Sequence, residues 1–213
     1  MTFFQDFPVP PLPPRPRSQR YVPPPWAGAP VYELPSVVHI GRFVSRIPWR
    51  VVAVKSADVF STGCVFNLSW LFRRDQQSDE DWADLQHLFF QPGRGIRSGR
   101  GQQTGLMFGV QFPDGSKAST GTLGPHGFVE RGQEPEPPAL VLNNGGGGGG
   151  EDEFQGTGSL WLWPLPPAGS LRLVSQWTDF GLEETSIMLD GGKLRDAAKA
   201  AQQYWPEEGS NHG

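Results

Sequence analysis

Cys64 and His39 are the pair of side chains that could do covalent chemistry, since an imidazole beside a thiol is how cysteine nucleophiles are made. Both sit in apolar runs, Val37-Val38-His39-Ile40 and Gly63-Cys64-Val65-Phe66, which favours a small buried hydrophobe over a reactive thiol. With one cysteine in the chain, no intramolecular disulfide and no cysteine-built zinc site can form. His39, His87, His126 and His212 show no metal-ligand spacing, and there is no HExxH, GxSxG, Walker loop or GxGxxG leading into a helix. The acidic runs Asp79-Glu80-Asp81 and Glu151-Asp152-Glu153 lack the alternating ligands of a calcium loop and read as solvated surface charge. The expectation is therefore a chain without metal or cofactor, acting by binding rather than by catalysis.

Binding chemistry has three candidate carriers. Arg94, Arg97 and Arg100 recur every third residue in PGRGIRSGRGQQ, as in arginine-glycine segments that hold single-stranded nucleic acid, but no aromatic is interleaved. Trp161 and Trp163 share one face of a strand and offer rings for stacking. Pro10, Pro13 and Arg15 fall in PVPPLPPRPR at the spacing that SH3-type grooves read in a polyproline II helix. A protein partner ranks ahead of a nucleic acid, and a loop-assembled hydrolase site is the alternative from another class. The six glycines Gly145 to Gly150 run into Glu151-Asp152-Glu153, which would repel a phosphate, so they read as a slack loop joining two strands.

Size and composition bound these readings. The chain has 213 residues, 18 Lys+Arg against 22 Asp+Glu, and 28 Gly with 22 Pro concentrated in a few stretches. A mildly acidic balance disfavours a dedicated duplex-DNA binder. No run of roughly 18 apolar residues suggests a membrane span. MTFFQDFPVPP has neither the basic start nor the apolar run of a signal peptide, so a cytoplasmic location is the default.

The elements that must position any site follow from periodicity. Residues 1–35 form a proline-rich arm expected to be disordered, serving as a tether or lying on its own domain, 36–205 a single β-rich domain, and 206–213 a disordered tail. Trp49 to Val54 is β-branched, while Phe66, Leu68 and Trp70 alternate with Asn67 and Ser69, as in a half-buried antiparallel strand. Ser78 followed by three acidic residues predicts a short inserted helix with Trp82, Leu85 and Phe89 on one face. Leu106 to Phe112, Pro113-Asp114-Gly115 and Ser116 to Thr120 spell a hairpin, and Ala139 to Leu142 a further strand. From Gly158 to Gly191 the turns are written between three strands, and Asp190 is placed to cap a helix over 191–205 with stripe Leu194, Ala197, Ala198, Ala201 and Trp205. Leu160 and Leu162 face away from Trp161 and Trp163, so both faces of that strand are apolar, and the C-terminal helix is expected to cover the second.

The segment LWLWPLPPAGSLRLVSQWTDFGLEETSIMLDG and the Ala-rich stretch after it resemble a type recurring in uncharacterised actinobacterial proteins, most specifically at Trp161 to Leu165 and Trp177. The resemblance covers roughly the middle and C-terminal two-thirds. It implies one folded unit and carries no functional residue across. The fold expected is mainly β: an antiparallel β-sandwich, Ig-like or related, with a short inserted helix and a C-terminal helix.

Overall fold

A computed structural model describes residues 22–90, 105–120 and 134–205. Its elements run β1 (Glu33–Leu34), β2 (Ser36–Ile47), β3 (Arg50–Val59), β4 (Cys64–Arg73), α1 (Asp79–Phe90), β5 (Met107–Gln111) and β6 (Lys117–Ser119). After these come β7 (Ala139–Gly149), β8 (Glu153–Trp163), β9 (Ser170–Trp177), β10 (Leu182–Asp190), α2 (Gly191–Ala198) and β11 (Gln202–Gln203). A five-stranded antiparallel sheet, β2-β3-β4-β8-β7, packs on a four-stranded one, β10-β9-β5-β6, while β1 pairs with β11. The expected antiparallel β-sandwich with one inserted and one C-terminal helix is what forms.

Alternation decides which side chains fill the space between the sheets. In β4, Cys64, Phe66, Leu68, Trp70 and Phe72 are buried while the residues between them are half-exposed. β9 does the same from the other sheet with Leu171, Leu173, Ser175 and Trp177. The side openings are closed by strands of opposite sheets lying near each other, β10 beside β2 and β6 beside β7. Thr185 Oγ1 donates to Val44 O at 3.3 Å across the first of these.

One end of the sandwich is plugged by α1. Ser78 Oγ accepts from Asp81 N at 3.1 Å, capping the first turn as its sequence suggests. Trp82 then stacks on Phe154 at 4.1 Å, and Phe89 meets Phe72, Phe154, Trp177 and Phe180. The other helix is shorter than its sequence suggests. Asp190 Oδ1 caps it by accepting from Lys193 N, but α2 stops at Ala198 and the chain returns through β11 to pair with β1. Leu194 is buried and Ala197 and Ala198 are packed on the core, whereas Trp205 is 71 % exposed.

The glycine run is a strand, not a slack loop. Gly146 to Gly149 pair in register with Thr157 to Phe154 of β8, after a bulge at Asn144/Gly146 where Gly146 takes φ +102°. Glycine has little strand propensity, so something must compensate. What compensates is room for rings. In the run, a Cβ on Gly147 would meet Gln155 O and, at 3.2 Å, the Phe89 ring, and one on Gly149 would lie 2.9 Å from the Phe154 ring; across the pair in β8, one on Gly158 would lie 2.7 Å from the Trp70 ring and one on Gly156 would run into Trp70 Nε1. Trp70 and α1 can close on this part of the sheet because it has almost no side chains.

A second difference concerns the N-terminal boundary. The folded part is expected from residue 36, yet Glu33 is 4 % exposed and accepts from Ser61 Oγ at 2.7 Å. Residues 22–32 lie against the five-stranded sheet: Trp161 Nε1 donates to Pro25 O at 3.0 Å, and Ala29 packs on the cluster of Phe60, Val141 and Trp161. The outward face of β8 is thus covered around Trp161 from the N-terminal side, while Gln155 and Thr157 stay exposed. The expected cover, α2, lies against β2, β3 and β9 instead. Length explains this, since an eight-residue helix following directly from β10 stays at its own edge. Residues 1–21 and 206–213 lie outside the described residues.

Candidate functional site: a groove on the four-stranded sheet

Residues of β5, β6 and β9 whose side chains point away from the core form the floor and walls of a depression of about 370 Å³. Gly109 lies opposite Ser119 on one side and Val174 on the other. Lacking a side chain, Gly109 makes the low point of a surface that would otherwise be continuous. A Cβ there would meet only Ala118 O at 3.4 Å and Val174 Cβ at 3.8 Å, so the gap is open space rather than crowding.

The walls are polar with an apolar patch. At one end Met107 faces Gln176; at the other, Gln111 lies between Lys117 and Arg172. Arg172 is held in place, its Nε donating to Ser186 Oγ at 3.1 Å and its Nη2 to Glu184 Oε1 at 3.4 Å. Arg172 thereby has its charge balanced, whereas Lys117 has no ion pair among the described residues. The result is a shallow trough with amide donors and acceptors on both flanks, a thioether, and one spare positive charge. Ser119, Ser175 and Glu184 also line it, and the Glu184 carboxylate is engaged by Arg172. The trough suits recognition of a ligand through many weak polar contacts over a flat floor.

The residues singled out by sequence meet different fates. Cys64 is fully buried, and burial pushes its thiol up, away from the reactive thiolate. His39 pairs with Ser56, which pairs with Asn67, on the outward face, whereas Cys64 points into the core from three residues away along β4. The sheet separates thiol from imidazole, and the dyad does not form. Trp161 is buried under residues 22–32 and presents no ring for stacking, while Trp163 is half-buried beside it. Arg94, Arg97, Arg100, Pro10, Pro13 and Arg15 lie outside the described residues.

Both acidic runs are surface charge. Asp79 pairs with Arg74 and Glu153 with Arg73, and no group of three His, Cys, Asp or Glu among the described residues is placed to hold a metal ion. Among the described residues, no helix is long and apolar enough to cross a membrane. Sequence reading passed over Gly109, Gln111, Lys117, Arg172, Val174 and Gln176. Their only advance signal was the outward parity of Arg172, Val174 and Gln176 in SLRLVSQW. That β9 lies beside β5 could not be read locally.

No protein-family model, curated protein or solved structure matches this chain.

Proposed function

We propose that the chain is a non-catalytic protein-interaction module whose contact surface is the trough around Gly109. The observation carrying this reading is the missing side chain at the centre of a sheet face that is otherwise flanked by polar walls. An extended peptide laid across Gly109 and Val174 would reach Gln111 and Gln176 with its backbone and Lys117 with an acidic side chain. Sheet faces of this kind bind by contact area and hydrogen bonds, with no reacting group required.

Selection of a displayed peptide library on the full-length protein tests this. Peptides should be recovered whose binding is lost with Gly109→Leu, which fills the trough while pointing away from the core. The same peptides should bind unchanged when residues 1–21 are removed. Recovery of no peptide, or peptides indifferent to Gly109→Leu, would sink the proposal. Peptides lost only with residues 1–21 would move the interaction to the proline-rich stretch that holds Pro10, Pro13 and Arg15 and overturn the groove.

A further inference from the structure

One row of the four-stranded sheet carries two cations on the same face. Lys117 of β6 lies opposite Gln111 of β5, which lies opposite Arg172 of β9. Their neighbours Val110 and Leu173 are buried in the core, so parity turns all three side chains outward into the trough. Two strand spacings, about 10 Å, separate Lys117 from Arg172.

Arg172 does not stand upright in its row. Its Nε donates to Ser186 Oγ, and Ser186 pairs with Val174, one outward position further along β9. The guanidinium is therefore drawn beside Val174, which Gly109 faces from β5. A ligand lying in the gap at Gly109 has this guanidinium on its β10 side and Lys117 on its β6 side.

The counter-charge on Arg172 is the weak part of this arrangement. Among the described residues, Glu184 is the only carboxylate lining the trough. It lies where β10 slips in register between Leu182 and Thr185, outside the regular ladder. It reaches Arg172 Nη2 through one contact at 3.4 Å, with the two side chains 42 % and 64 % exposed. A good charge-assisted bond is about 2.8 Å long. An exposed pair joined by one long contact contributes little.

We infer that Glu184 stands in for a ligand carboxylate, and that the trough selects an extended peptide with two acidic residues at alternate positions. One meets Lys117, and the other takes the place of Glu184 on Arg172. Alternate residues of an extended chain point the same way about 6.7 Å apart, and the long Lys and Arg side chains close the remaining distance. A ligand carboxylate free to turn can engage the guanidinium fork with both oxygens, which Glu184 does not. This inference rests on the trough being the contact surface.

Selection of a random displayed peptide library on the full-length protein, with each recovered clone rescreened on Gly109→Leu, tests it. Clones lost with Gly109→Leu should carry Asp or Glu at two alternate positions. Repeating the selection on Lys117→Glu should turn one of those positions from acidic to basic. In calorimetric titration, a synthetic peptide from the first selection should bind about threefold tighter to Glu184→Gln, which removes the competing carboxylate, and about tenfold weaker to Lys117→Gln. Clones that depend on Gly109 yet lack the acidic pair would overturn the inference and leave the trough reading standing. Equal or weaker binding to Glu184→Gln would do the same. Recovery of no clone that depends on Gly109 would bring down both.

Discussion

Trp177 and Trp161 are each 1 % exposed, yet they are buried in different ways. Trp177 lies between the sheets, with Trp70 at 6.2 Å, Phe72 at 5.2 Å, Phe180 at 4.5 Å and Phe89 at 6.2 Å. Those partners come from β4, α1 and the 3-10 turn Thr178–Phe180, so its burial is a product of the whole fold. Trp161 lies on the outside of β8, with Phe60 edge-on at 6.0 Å and a single hydrogen bond to Pro25 O. Its burial depends on residues 22–32 staying down. Equal burial therefore conceals unequal cooperativity: one indole is held by several elements at once, the other by a strap.

Trp177→Ala is the severest way to break that comparison. It should cost about 4 kcal/mol in urea or guanidinium denaturation, the range for removing a large aromatic from a close-packed core. It should also loosen α1, seen as faster amide exchange over Asp79–Phe90. A loss below about 1.5 kcal/mol would mean that the ring cluster is not the centre of stability.

The second prediction separates glycines that make room from glycines that merely occupy a strand. Gly156→Ala places a methyl group against the Trp70 indole and should cost about 2 kcal/mol, as overpacking does. Gly148→Ala has nothing within 4 Å and should be neutral or stabilise by up to about 0.5 kcal/mol, by restricting the unfolded chain. Equal effects in the two variants would refute the account of how β8 makes room for Trp70 beside the glycine strand.

The smallest effect sharpens the strap. Trp161→Phe removes the bond to Pro25 and should cost about 1 kcal/mol in the full chain. In a chain lacking residues 1–32 the same substitution should cost a few tenths of that or less, since the acceptor is already gone. The double-mutant cycle measures the coupling directly. Additive losses would show that Trp161 is held by Phe60 and Val141 alone.

Local pattern carried much of the architecture. The alternation of Phe66, Leu68 and Trp70, the Pro113-Asp114-Gly115 turn, the Ser78 and Asp190 caps and the face of α1 were legible, because periodicity and turn chemistry act over a few residues; the stripe of the C-terminal helix was legible only as far as Ala198. The glycine run was not, since its strand conformation is imposed by pairing with β8 and by the rings it accommodates. The trough was not legible as a site. Gly109 meets Val174 across a gap of more than sixty residues of sequence.

By itself, then, the sequence determined most of the strands and the starts of both helices, which side of those strands is apolar, and that Cys64 belongs in a core, but not the glycine strand or the end of α2. Tertiary structure alone decided which strands became neighbours. It thereby put Cys64 and His39 on opposite sides of a sheet, laid residues 22–32 over Trp161, and gathered the trough. The physical reason is that periodicity states how much surface each segment must bury, whereas the partner that buries it is chosen by competition among all the segments at once.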